Sequence, residues 1–143
     1  MPNLLPGIQS TTAALNAEHT RLEIIAQNIA NANTTRGLDG KPYQRQQVVF
    51  ESVLDRARLS TGGESRMSGP RVCMIEKDTR PGNVVPMPGH PDANRDGMVQ
   101  MPNVNIHEEM ADLIAASRTF DANLAVLKTA KQMTMQALSI GKR

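Results

Sequence analysis

Apolar residues recur seven apart at both ends of this 143-residue chain, and the middle carries no such repeat. Near the start, Ile8, Leu15, Leu22 and Ile29 form one row, with Leu5 and Ile25 at half-heptad positions. The spacing predicts a helix over about residues 5 to 34 with a single apolar stripe. Toward the other end, Ile106, Leu113, Phe120 and Leu127 make one row. Met110, Ser117, Leu124 and Leu138 make a second, interrupted by Lys131. A stripe buried against nothing cannot offset the conformational entropy of ordering its helix. Each must therefore pair, with the other or with another chain.

The composition argues against a large central core. Hydrophobic residues are 39% of the chain, and the aromatics are only Tyr43, Phe50 and Phe120. Alanine and methionine supply much of the apolar content, which suits close helix packing and adaptable interfaces. The net charge of +2 is small, and basic residues alternate with acidic ones, as in Glu51, Asp55, Arg56 and Arg58. The scattered Arg45, Arg56, Arg58, Arg66, Arg71 and Arg80 read as a solvated surface. A nucleic-acid face would need a basic stripe with stacking aromatics, so no nucleic-acid partner is expected. Cys73 is alone, which excludes an internal disulfide and a cysteine metal cage; it is expected in a short strand as a small hydrophobe. No run approaches the roughly 18 apolar residues of a transmembrane helix. No Lys or Arg precedes Arg21, so a cleaved signal peptide is not expected, and any export would keep the N-terminus.

Asn31 to Thr35, Gly37 and the pair Asp39-Gly40 should end the first helix. Residues 45 to 54, with Val48, Val49 and Phe50, and residues 71 to 76 have strand composition. Gly62, Gly63, Gly69 and Pro70 mark a flexible loop near 55–70. Five prolines between 80 and 102 rule out helix and leave an extended segment with short edge pairings. Asn105 should cap the last helix with Glu108 as its capping-box partner, and Glu109 adds favourable charge to the first turn. That helix should run to about Ser139 and stop at Gly141, roughly 50 Å in all. The expected fold class is mainly α: an N-terminal helical segment over 1–36, an extended, hairpin-containing middle over 37–102, and a C-terminal helix over 103–143.

Two motifs carry a resemblance. Ile25-Ala26-Gln27-Asn28-Ile29-Ala30-Asn31-Ala32-Asn33-Thr34 resembles the N-terminal signature of the bacterial flagellar rod and hook axial proteins. There an apolar pair precedes an Asn, an aliphatic residue, a small residue and a second Asn. Gly97-Met98-Val99-Gln100-Met101-Pro102-Asn103-Val104-Asn105 is similar to a segment of one proximal-rod branch, with Met98 in place of the usual Tyr. Gly89 to Asn94 and, in the last helix, Glu109-Met110, Ala116 to Phe120 and Ala122-Asn123 fit the same branch. On spacing alone, Asn28 and Asn31 could close the helix end or bond a neighbouring subunit.

The resemblance implies a structural subunit of the periplasmic rod of the basal body. Its terminal helices would pair as an antiparallel coiled coil around the export channel. It also implies partners: copies of the chain, other rod subunits, the flagellar export apparatus and the adaptor to the membrane ring. The residues expected at helix packing and assembly contacts are Ile8, Leu15, Leu22, Ile25, Asn28, Ile29 and Asn31. In the second helix they are Met110, Leu113, Ser117, Arg118, Phe120, Asn123, Leu124 and Leu127; Arg118 and Asn123 are candidates for hydrogen bonds between subunits.

No chemical site competes with this. Asp92-x-Asn94-x-Asp96-Gly97 copies the opening of a calcium loop, but position 12 is Asn103, beside Pro102, and no helix precedes the loop. His19, His90 and His107 lack metal-ligand spacing, and no nucleophile motif or phosphate-binding loop is present. Catalytic, cofactor and metal sites are therefore not expected.

Overall fold

A computed structural model describes residues 5–37, 39–54 and 67–141. In order, the elements are α1 (Leu5–Ala30), β1 (Gln46–Leu54), β2 (Met67–Lys77), β3 (Val84–Pro86), β4 (Met98–Gln100) and α2 (Ile106–Ile140). Two helices and two small antiparallel sheets result, with α1 lying against both α2 and the β1–β2 hairpin. No described helix is long and apolar enough to cross a membrane.

The first helix stops four residues before the expected boundary, and the asparagines are the reason. Asn31 Nδ2 donates to the Gln27 carbonyl at 2.9 Å, and Asn31 Oδ1 accepts from the Thr34 hydroxyl at 3.2 Å. The Ala32 N–H turns to the Ile29 carbonyl. Side-chain and tight-turn bonds thus replace the helical ladder. At α2, Asn105 Oδ1 accepts from the His107 N–H at 3.1 Å. Glu108 closes this cap by accepting from the Asn105 amide group, a variant of the expected box. Gly141 ends α2 in a right-handed conformation, φ −74°, its N–H reaching the Ala137 carbonyl. Lys142 and Arg143 lie outside the described residues.

The hairpin pairs Gln46 with Lys77 at its base and Leu54 with Met67 at its far end, with bulges after Val49 and Ser52. β2 is longer than expected. It begins at Met67, inside the span read as a flexible loop, so Gly69 and Pro70 lie in a strand; residues 55–66 of that loop lie outside the described residues. A proline is tolerated because the sheet has two strands, each with an unpaired edge. Gly69 is needed for contact: at φ +92° it lies against α1, where a Cβ would come within 3.0 Å of Ser10 Oγ. Cys73 lies in β2 but is exposed, not packed as a small hydrophobe. The proline-rich segment forms the short β3–β4 pairing, Val84 to Gln100 and Pro86 to Met98.

The core is thin. Its buried apolar side chains are Ala17, Ile24, Ile25 and Ala32 from the first helix and its end, Val99 from β4, and Ala116 from α2. Two polar side chains, Asn28 and Glu109, are buried as deeply as any of these.

Candidate functional site

Asn28 and Glu109 meet where the C-terminal turns of α1 face the first turn of α2. Asn28 uses its whole amide. Nδ2 donates to Glu109 Oε2 at 3.0 Å and to the Gln46 carbonyl at 2.8 Å. Oδ1 accepts from the Gln46 N–H and from the Tyr43 hydroxyl, both at 2.9 Å. The other carboxylate oxygen of Glu109 accepts from Arg45 Nε at 2.5 Å. Arg45 also lies 3.5 Å from Asp112, and its backbone N–H donates to Asn103 Oδ1 at 2.7 Å. Asn103 Nδ2 in turn donates to the Asp78 and Arg80 carbonyls. One polar clasp therefore ties together α1, the start of β1, the segment leading into α2, and α2 itself. Every buried polar atom named in it has a partner, which such a network requires.

The charges in the clasp suit its burial. Glu109 is 0% exposed and Arg45 18%, so the acid is held away from water while the guanidinium sits at the rim. Burial, and secondarily the nearby Glu109 charge, push the Tyr43 hydroxyl above its ordinary pKa, favouring the neutral donor that Asn28 requires. At the outer edge, Arg80 side-chain and backbone hydrogen bonds lower the Asp78 carboxyl to about 2.

Arg45 and Glu109 correct the sequence reading. Arg45 is a partner of a buried acid instead of a solvated charge, and Glu109, the expected acidic residue of the first turn, is that acid. Asn103 sits in a recognisable motif, but nothing in its spacing reveals its bonds to residues 45, 78 and 80.

Among the packing residues named from sequence, Ile25 and Asn28 are buried. Ile8, Leu15, Leu22, Ile29 and Asn31 are half-buried on α1 or at its end. Along that helix the covered line is Ser10, Ala14, Ala17, Arg21, Ile24 and Asn28, with alternating steps of four and three. On α2 the covered line is Glu109, Leu113, Ala116, Phe120, Asn123 and Leu127, again with alternating steps. Leu124 flanks it, half-buried, while Met110, Ser117 and Arg118 are exposed. The helices run in opposite senses, since Asn28 meets Glu109 while Arg21, a further two turns back along α1, lies 3.9 Å from Asp112.

The polar side chains at the start of the calcium-like loop are already hydrogen-bonded, to the loop itself and to the segment after α1. Asp92 accepts from the Thr35 hydroxyl at 2.8 Å, and Asn94 Oδ1 accepts from the Asp96 and Met98 N–H groups. Gly97, at φ +72°, completes a turn into β4. Among the described residues, no group of three or more His, Cys, Asp or Glu could hold a metal ion.

A helix from each end of the chain, joined by a polar clasp and carrying a small β-rich middle, defines a class that two families match. The family described as Flagella basal body rod protein matches residues 8–36, and the Flagellar basal body rod FlgEFG protein C-terminal family matches residues 95–140. Full-length relatives narrow the class. The flagellar basal-body rod protein FlgC of Yersinia enterocolitica is 41% identical over 91% of this chain and 92% of its own length. Those of Borreliella burgdorferi and Bacillus subtilis are 37% and 36% identical, over 96% and 95% of this chain and 97% of their own lengths. The chain belongs to the FlgC family of flagellar basal-body rod proteins.

Proposed function

We propose that this chain is a structural, non-catalytic subunit of the proximal flagellar rod, the periplasmic drive shaft that carries torque outward and encloses the export channel. Its neighbours would be copies of itself and other rod subunits, with the export apparatus and the membrane-ring adaptor at the inner end. The helical segments over 1–36 and 103–143 would pair as an antiparallel coiled coil, and the alternating steps of four and three on both covered faces support that reading.

One observation beyond kinship carries the proposal. On α2, Met110, Ile114, Val126, Met133, Met135, Leu138 and Ile140 are all at least half exposed, Leu138 at 66% and Ile140 at 76%. A monomer with so many bare aliphatic side chains on one helix would be prone to association, whereas an assembly subunit buries them against its neighbours. Leu138→Asp tests this without disturbing the folded chain. Its helicity and melting temperature should match the wild type and the chain should still be exported, while rod assembly and swimming fail. Wild-type swimming by this variant would remove the assembly role of this face.

A further inference from the structure

The covered faces of the two helices repeat every seven residues, with Leu113, Phe120 and Leu127 recurring at that period on α2 against Ala14, Ala17 and Ile24 on α1. Sliding α2 by one heptad, about 10 Å along α1, would set one of these large apolar residues where another had been. Apolar packing therefore discriminates weakly between registers. The clasp does not share this tolerance. A slip in either direction takes the Glu109 carboxylate from Asn28 Nδ2 and Arg45 Nε, while Asn28 stays anchored to the Gln46 N–H and carbonyl at the base of the hairpin. Only the observed register gives the buried carboxylate both of its donors, Asn28 Nδ2 and Arg45 Nε; a slip toward the start of α1 would offer it Arg21 alone.

We infer that the Asn28–Glu109–Arg45 clasp selects the register of the helix pair, and that these three are positioning residues whose contribution is specificity more than stability. A single buried polar contact that fixes the register of an otherwise permissive helical interface is a known use of such groups. On the reading that the pair is the face offered to neighbouring rod subunits, the clasp also sets the spacing at which those neighbours dock.

The test separates register from stability. In a Cys73→Ser background, nitroxide labels at Ala26→Cys and Gln132→Cys, both exposed, report a distance with about 30 Å of axial separation, so a one-heptad slip is directly readable. The wild type should give one narrow distance. Arg45→Met/Glu109→Met replaces the ion pair with side chains of similar volume and leaves three of the four Asn28 bonds. It should keep its helicity and melting temperature but broaden the distance or displace it by about 10 Å. Glu109→Gln has a single acceptor oxygen, so it can serve Arg45 Nε or Asn28 Nδ2 but not both; it should keep the wild-type distance as the main population, broader than in the wild type and narrower than in the double Met variant. A single wild-type distance in the double Met variant overturns the inference. Unfolding of that variant also overturns it, by assigning the clasp to stability. Because the distances are read on the isolated chain, they stand apart from the swimming test of the rod role.

Discussion

Removing Arg45 should destabilise the chain more than removing the acid it pairs with. Arg45→Ala leaves the Glu109 carboxylate 0% exposed, with Asn28 Nδ2 at 3.0 Å as its remaining side-chain donor and no counter-charge in contact. Breaking a buried pair from one side in this way costs about 3–5 kcal/mol, mostly the unrelieved desolvation of the stranded charge. Loss of the second ion pair, to Asp112 at 3.5 Å, adds little because Asp112 is 44% exposed. Glu109→Ala strands the other partner less severely. The guanidinium keeps Asp112 and, at 18% exposure, has a path to water, so the loss should be about 2 kcal/mol from the missing hydrogen bonds and the small cavity. The double alanine variant should then cost less than the sum, with a coupling of about 2 kcal/mol. Urea unfolding of the four proteins measures all three quantities, and thermal melts should place Arg45→Ala roughly 10–20 °C below the wild type. A loss under about 1 kcal/mol for Arg45→Ala, or additive single losses, would mean that Arg45 behaves as a surface charge and that the clasp is not an energetic unit.

Three further outcomes follow from neighbouring groups. Tyr43→Phe removes the hydroxyl that Asn28 accepts and should cost about 1 kcal/mol near neutral pH. The folded pKa of Tyr43 is raised, so its contribution is present below the ordinary value of 10.0 and is lost as pH rises through the folded value; alkaline unfolding of the phenylalanine variant should accordingly be less steep. The Asp78 carboxyl has the opposite sign: held at about 2 instead of 3.8, it supports the fold above 3.8 and loses that support as pH falls toward 2, a dependence that Asp78→Asn should remove from an acid titration. Millimolar calcium should leave both the heat signal and the melting temperature unchanged, because Asp92 is engaged by Thr35 and Arg36 and Asn94 by N–H groups within the turn; a saturable shift abolished by Asp92→Ala would restore the calcium reading.

Local rules carried the sequence reading as far as elements and their ends. The Asn105 cap, the acidic first turn of α2 and the short pairing among the prolines all depend on residues adjacent in the chain, and the structure has each of them. The misplaced boundary at Ala30 is instructive because its cause is also local. Asn31 competes with the ladder through its own side chain, but the same residue one turn earlier, Asn28, stays helical because its amide finds distant partners. Sequence spacing cannot distinguish these two fates. β2 escaped full recognition for a comparable reason. Gly69 and Pro70 carry the chemistry of a loop, and only the contact with Ser10 and an unpaired sheet edge make a strand acceptable there.

Glu109 shows why the clasp itself was not legible. A glutamate in the first turn of a helix has a sufficient local explanation in the helix dipole, so its type and position ask for nothing further. Its burial depends on Arg45, 64 residues earlier, and on Asn28, 81 residues earlier, and no periodicity links these positions. The seven-residue rows trace only part of the covered surface. Leu113, Phe120 and Leu127 lie on the covered line of α2 and Leu22 is half-buried on α1, but that line also passes through Glu109, Ala116 and Asn123, which no apolar row selects, while Met110 is exposed. Small residues let the helices approach closely, and close approach is what makes a buried carboxylate reachable by two donors from other elements. The aliphatics off that line, Met110, Ile114 and those toward the far end of α2, are left available to surfaces outside the chain.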